Sequence, residues 1–378
     1  IRKRPGAEAT AGGAGGAAAS TGGQLMPPVM GAAAFLMAEF VGVPYIEVVK
    51  AAAIPALLYF TGVWLGVHFE AKRKNLKGIP RSELPNPLTL LKERGHLAIP
   101  LVVIVYLLVS GYTPMRAALV AIVLSIICAM LRSSTRMKPM EIVYGLERGA
   151  KAVLGVLIAC AAAGIIIGVV TKTGVGLRLA SGLIDAAGGM LLPAMFFTMI
   201  TAIVLGMGVP TTANYVITST IAAPALVQMG VPILAAHMFV FYFGIIADVT
   251  PPVALAAYAG AGISGGNPLK TGVHASKLAV AAFIIPYIFV LSPVILMVDA
   301  TPFALVTATL TALVGMIAVS SALCGFLADD CKLYERVLLI MAGLLMIKPG
   351  STTDMIGLVL FAAILVIQNL RKKRKNRE

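Results

Sequence analysis

Apolar stretches of near-membrane length recur along the whole 378-residue chain. Crossing a ~30 Å hydrocarbon core takes about 20 predominantly apolar helical residues. Residues 49–67, 115–131, 152–170, 278–298 and 353–370 approach or reach that length. Because they come in series, a single anchor is excluded and an all-α polytopic membrane protein is expected. Composition agrees: 59% of residues are hydrophobic and 12% charged, where soluble domains carry about a quarter charged.

The net charge of +14 raises a nucleic-acid reading for the run Arg371-Lys372-Lys373-Arg374-Lys375, since such runs also bind anionic phosphates. Lys and Arg, however, cluster in short segments between apolar spans and in this tail. Cytoplasmic loops carry that excess, so the charge is read as topology, with lipid and not nucleic acid as the partner. Cys128, Cys160, Cys324 and Cys331 show no CxxC spacing and mostly lie in or beside apolar segments, which predicts reduced packing residues without disulfide or metal. The chain opens on Ile1-Arg2-Lys3-Arg4 and Gly/Ala-rich sequence, with no signal-peptide apolar core. It is read as a fragment lacking upstream spans.

The basic loops should all fall on one side. Residues 72–94, with Lys72, Arg73, Lys74, Lys77, Arg81, Lys92 and Arg94 against Glu83 and Glu93, are taken as cytoplasmic. A hairpin turning at Gly111-Tyr112-Thr113-Pro114 then returns the chain to Arg132, Arg136, Lys138, Arg148 and Lys151. Residues 152–170 exit. The apolar segment 190–229, interrupted from Gly206 to Thr212, is expected to be a re-entrant hairpin entering and leaving on the outer side. Residues 234–264 re-enter with a second interruption at Asp248-Val249-Thr250-Pro251-Pro252. Segments 278–298, 303–323, 337–347 and 353–370 alternate so that the tail is cytoplasmic. The expected organisation is the C-terminal part of a first repeat at 1–68, basic loops and a connecting hairpin at 69–151, a second repeat at 152–300, and two extra C-terminal helices with a basic tail at 301–378.

A repeat underlies this division. At an offset of 224 residues, Pro27, Pro28, Val29, Gly42, Pro44 and Val49 match Pro251, Pro252, Val253, Gly266, Pro268 and Val273. The loop charges put Pro44 outside and Pro268 inside, so the halves are inverted. Many secondary transporters build a central site from discontinuous helices in such inverted repeats.

Paired prolines inside an apolar span strip the helix of hydrogen bonds, which membranes tolerate only beside protein or a water-lined cavity. Freed carbonyls with nearby hydroxyls suit a hard cation such as Na⁺, and half-helix N-termini suit a carboxylate. Candidate substrate and ion ligands are Ser20, Thr21, Gly22, Gly23 and Gln24 in the first half. In the second they are Gly206, Gly208, Pro210, Thr211, Thr212, Asn214, Asp248 and Thr250. The helix breaks themselves are Pro27, Pro28, Pro251 and Pro252. Asp248 is the acidic residue deepest in a span; binding Na⁺, relaying a proton and capping a half-helix that starts near Thr250 all fit it. His237 is read as a hydrogen-bonded packing residue, and His68, His96 and His274 as interfacial. No HExxH, GxSxG or Walker sequence is present, Gly12 to Gly16 is low complexity, and neither a nucleophile–base nor a paired-Asp arrangement stands out. The chain is not read as an enzyme, and no cofactor beyond a coupling ion is expected.

The segment from Ala17 to Glu39 (AAASTGGQLMPPVMGAAAFLMAE) resembles the first-half signature of the large membrane subunit of TRAP (tripartite ATP-independent periplasmic) transporters. Leu205 to Tyr215 (LGMGVPTTANY), Ala236 to Gly244 (AHMFVFYFG) and Asp248 to Tyr258 (DVTPPVALAAY) resemble that family's outer hairpin and second broken helix. The spans after Phe303 resemble the fused-permease branch that works with TAXI-type binding proteins. This resemblance implies an elevator-type importer of the bacterial or archaeal cytoplasmic membrane. It implies a Na⁺ (or H⁺) gradient as driving force and an organic acid received from a TAXI-type periplasmic binding protein. A small four-helix membrane subunit, separate or fused upstream, is implied as well. The alternative from a different class is a channel-like or structural membrane subunit without ion coupling.

Overall fold

The computed structural model describes residues 7–28, 30–74, 86–133, 135–298, 300–347 and 350–375. Val29 of the first break, the loop charges Lys77, Arg81 and Glu83, and Ile1 to Arg4 lie outside these. The chain is helical from α1 (Ala7–Gly22) through an irregular stretch to α2 (Ala32–Val41) and α3 (Tyr45–Arg73). Next come α4 (Pro87–Arg94), then α5 (Ile99–Val109) and α6 (Pro114–Met130), a hairpin turning where Gly111 takes a φ of 84°. α7 (Pro139–Thr173) is one 35-residue helix. Arg148 and Lys151 therefore lie inside it, not in a loop before a span starting at residue 152. α8 (Val175–Ala186) fills a segment to which hydropathy assigned nothing.

The expected hairpin consists of α9 (Leu191–Gly206) and α10 (Thr211–Ile221), followed by α11 (Ala223–Gln228). The second broken helix is α12 (Ile233–Ile246), a 3₁₀ turn at Ala247–Val249 and α13 (Leu255–Ser264). α14 (Pro268–Leu278) runs almost directly into α15 (Val280–Leu291), so this span starts ten residues before the apolar run at 278. α16 (Pro302–Cys324), α17 (Leu333–Ile347) and α18 (Ser351–Lys375) complete the chain. Among the described residues five helices are long and apolar enough to cross a membrane: Tyr45–Arg73, Pro139–Thr173, Pro268–Leu291, Pro302–Cys324 and Thr352–Arg374. Residues such as Val102, Leu119, Ile158 and Ile165 stand exposed on α5 to α7, as befits a chain solvated by lipid.

Local chemistry sets the boundaries. Proline occupies the first turn of α4, α14 and α16, where its missing N–H is no loss. Ahead of them the side chains of Asn86, Asn267 and Thr301 accept from the N–H groups of Leu88, Lys270 and Ala304. Gly42 and Gly265 end α2 and α13 in the left-handed region, where a side chain is disfavoured.

The repeat seen in the sequence is a repeat of structure. At the same 224-residue offset, α1 and α2 coincide with α12 and α13, and α3 with α14 and α15. The Pro27–Pro28 and Pro251–Pro252 peptides are both cis, and Met30 and Ala254 both take positive φ, 51° and 40°. Their N–H groups donate to the carbonyls of Met26 and Thr250 over 3.2 and 3.1 Å, again 224 residues apart.

The equivalent helices run antiparallel. A Cβ added to Gly62 of α3 would fall 2.4 Å from the Cβ of Ala281, and one on Gly66 3.0 Å from Leu278 Cδ2. Further along α3, Glu70 Oε1 lies 3.6 Å from His274 Nδ1. Residue numbers rise on α3 as they fall on α14 and α15, which is the orientation an inverted repeat requires. α1 and α13 cross in the same antiparallel sense. There a Cβ on Gly13 would meet the Gly260 carbonyl oxygen at 2.9 Å, and one on Gly266 the Thr10 Cα at 3.0 Å. Paired small residues let helix backbones approach this closely.

Polar contacts fix the end of α16 to the end of α3 and join α16, α17 and α18 to one another. Arg73 Nη1 donates to the Cys324 carbonyl at 2.8 Å, and Arg336 Nε to that of Ala322 at 2.7 Å. Buried Glu335 accepts from Gln368 Nε2 at 2.9 Å and pairs with Arg371. Loop charges had placed all these helix ends on one side, and the structure brings them together. The four cysteines are free.

The Gly13–Gly260 crossing leaves no room for a methyl group. Gly260→Ala is expected to destabilise the purified protein by about 1–3 kcal/mol, seen as a lower thermal midpoint. Gly262→Ala, whose added methyl meets nothing within 4 Å, should not lower it.

Candidate functional site

The first break opens inside the Ser20 to Gln24 run, at its fourth residue. Ser20, Thr21 and Gly22 complete the last turn of α1, and the chain departs at Gly23. Thr21 is buried, whereas Ser20 and Gly23 are exposed. A Cβ on Gly22 would strike the Tyr59 ring at 2.3 Å, so glycine is what lets the end of α1 lie against α3. The Tyr45 hydroxyl donates to the carbonyl of Pro28 at 2.8 Å, and that of Tyr59 to Ala18 at 2.6 Å. Gln24 is half-buried, and its Oε1 is buried with no hydrogen-bond partner. It stands 224 residues before Asp248.

The second break is satisfied in the same way by different residues. The Tyr258 hydroxyl donates to the Pro252 carbonyl at 2.8 Å, Ser276 Oγ to Val249 at 3.0 Å, and Thr250 Oγ1 to Ile246 at 2.8 Å. Asp248 lies in the 3₁₀ turn. It is not a helix cap: α13 starts at Leu255, not near Thr250, and its N-cap is Ala254, with no side-chain cap bond. Left-handed Ala254 delays the helix by the width of the turn. The half-buried Asp248 carboxylate makes no hydrogen bond or ion pair among the described residues.

Between the breaks stands the hairpin turn. Gly208 takes a φ of 74° there, a conformation that favours glycine, and Pro210 precedes α10. Thr211 and Thr212, both half-buried, form the first turn of α10. Asn214 is buried, and its Oδ1 has no partner. Added Cβ atoms on Gly206 and Gly244 would lie 2.6 and 2.7 Å from Asn214 Nδ2, and the one on Gly206 3.1 Å from the Cβ of Ala247. Glycine on both neighbouring helices thus makes room for one amide. The structure brings Gly206, Asn214 and the Gly244–Ala247 end of α12 together. α1 also packs against the Ala247–Val249 turn, and α2 against α10. Exposed Ser20 and Gly23 stand apart from this buried group.

Chemically the site is a set of amide, hydroxyl and carbonyl oxygens with few titratable groups. No three His, Cys, Asp or Glu residues cluster as metal ligands among the described residues. Uncharged oxygens of this kind suit a hard monovalent cation, which unwound helices bind through carbonyls. The half-helices α2, α10 and α13 all begin without a side-chain cap bond, and uncapped helix N-termini are suited to an anion. Sequence reasoning passed over Tyr45, Tyr59, Tyr258 and Ser276, which hold the breaks. Only Tyr258 stands close to its proline pair in the sequence, six residues after Pro252; the other three come from the helices that follow and gave no local signal.

Residues 1–304 match the family model described as "Tripartite ATP-independent periplasmic transporter, DctM component". No curated protein matches the chain.

Gly244→Ala should push the Asn214 amide out of its slot and destabilise the protein by about 1–3 kcal/mol. A thermal melt of the purified variant checks this; an unchanged midpoint would show that the slot is not tight.

Proposed function

The chain belongs to the DctM component family of tripartite ATP-independent periplasmic transporters, and we propose that it imports an organic carboxylate using a Na⁺ gradient. The family makes it a membrane-embedded transporter component with a periplasmic binding protein as partner. We further propose a TAXI-type binding protein, a small four-helix membrane subunit or upstream fused domain, and a cytoplasmic C-terminus.

One observation carries the Na⁺ reading. Backbone and side-chain donors satisfy the carbonyls of the two matched helix breaks, yet Gln24 Oε1 in the first break and Asn214 Oδ1 in the hairpin between them stay buried and unpartnered. A buried amide oxygen without a partner costs about 1–3 kcal/mol, and a bound cation would remove that penalty. Thr211, Thr212 and Thr250 place hydroxyls in the same segments. For the carboxylate, the uncapped N-termini of α2, α10 and α13 offer N–H donors at the positive ends of helix dipoles. Coupling to H⁺ is a second reading, favoured by the half-buried and unpaired Asp248. Alternation between the two sides follows the elevator pattern, with the antiparallel halves moving the site across the membrane.

Uptake into proteoliposomes, with and without a Na⁺ gradient and binding protein, tests this. Uptake should require both, and Thr211→Ala should raise the Na⁺ concentration for half-maximal rate by about 10-fold, the loss of one ligand worth ~1.4 kcal/mol. Uptake driven by a proton gradient alone and lost in Asp248→Asn supports H⁺ coupling. Equal uptake with and without any gradient identifies a channel-like subunit.

A further inference from the structure

Tyr215 of α10 is nearly fully buried and contacts two other elements, α12 and α2. Its hydroxyl lies 2.7 Å from His237 Nδ1, its ring meets Phe241 edge-on at 5.9 Å between centroids, and Phe40 of α2 lies 5.9 Å away. His237, Phe241 and Gly244 recur at helical spacing, so they share one face of α12. Gly244 is the residue that makes room for Asn214, the neighbour of Tyr215 on α10. The start of the second hairpin arm is therefore held on a single stripe of α12 at two heights.

We infer that Tyr215 and His237 are a positioning pair: their hydroxyl–imidazole contact fixes the rotation of α10 on α12 and so sets where the Asn214 amide stands. Apolar side chains dominate the rest of α12 (Ile233–Ile246), and such contacts tolerate sliding and rotation. A hydrogen bond between the buried Tyr215 hydroxyl and the half-buried His237 imidazole does not, because separating them leaves the hydroxyl desolvated and unpaired. In the tautomer with the proton on Nε2, the Tyr215 hydroxyl donates to Nδ1. Phe40 also lies against the ring, so α2 of the first repeat touches a contact made within the second. The inference rests on the Na⁺-coupled reading only for what Asn214 does, not for how it is held.

Side-chain isosteres separate positioning from packing. An Asn at 237 places an amide oxygen near where Nδ1 stands, whereas Gln reaches toward Nε2 and Leu offers only bulk. Tyr215→Phe, His237→Leu and His237→Gln should each raise the Na⁺ half-saturation for uptake by about 10-fold, with the maximal rate changed much less. His237→Asn should stay near the parent, and Tyr215→Phe/His237→Leu should be no worse than the worse single variant. In parallel, a thiol reagent applied to Val209→Cys, with labelling at residue 209 read by mass spectrometry, reports the hairpin turn without any transport. Labelling should quicken in Tyr215→Phe and His237→Leu but not in His237→Asn. Labelling equal in all variants, or His237→Asn no better than His237→Gln, overturns the pair. A parent protein indifferent to Na⁺ refutes the coupling instead, while the labelling series still decides the pair.

Discussion

Hydrocarbon offers a peptide group no hydrogen-bond partner, and the architecture of this protein follows from having broken two helices under that constraint. Each unsatisfied group costs several kcal/mol in such surroundings. The chain meets the cost with side chains: Tyr45 reaches the carbonyl of Pro28, Tyr258 that of Pro252, and Ser276 that of Val249. Once these carbonyls are satisfied, the amide oxygens of Gln24 and Asn214 stand out as buried acceptors with nothing to accept. These two unpartnered amides are the observation on which the proposed ion site rests.

Packing keeps the breaks in place. Antiparallel crossings of α1 on α13 and of α3 on α14 and α15 bring backbones together at Gly13, Gly260, Gly62 and Gly66. Close contact substitutes here for the hydrophobic effect, which cannot drive helices together in a solvent as apolar as they are. At the other end of α3, Arg73 ties on α16, and the Glu335–Arg371 pair joins α17 to α18. Stretches of α5 to α7 stay apolar and exposed, as lipid-facing helices do.

Much of this was legible in the sequence, because proline pairs, apolar length and loop charge act locally. Pro27–Pro28 and Pro251–Pro252 located both breaks, Gly206 to Pro210 the hairpin turn, and the 224-residue offset the halves. Boundaries were less legible. α7 continues through Arg148 and Lys151 because a long helix can carry charge beyond the span, and α13 waits until Leu255 because the turn through Ala254 takes up the residues after Thr250. Asp248 looked like a cap only under the assumption that the half-helix began beside it. Three-dimensional partners were not legible at all. Nothing in the spacing of Gly206, Asn214 and Gly244 shows that two glycines flank one amide, or that Tyr215 and His237 meet across 22 residues.

The most direct test of the first break and the hairpin as parts of one proposed ion site needs no transport. Isothermal titration of Na⁺ into the purified protein should show saturable binding, weakened by about 10-fold or more in both Gln24→Ala and Asn214→Ala. Absence of saturable binding, or variants that bind Na⁺ as the parent does, would contradict it.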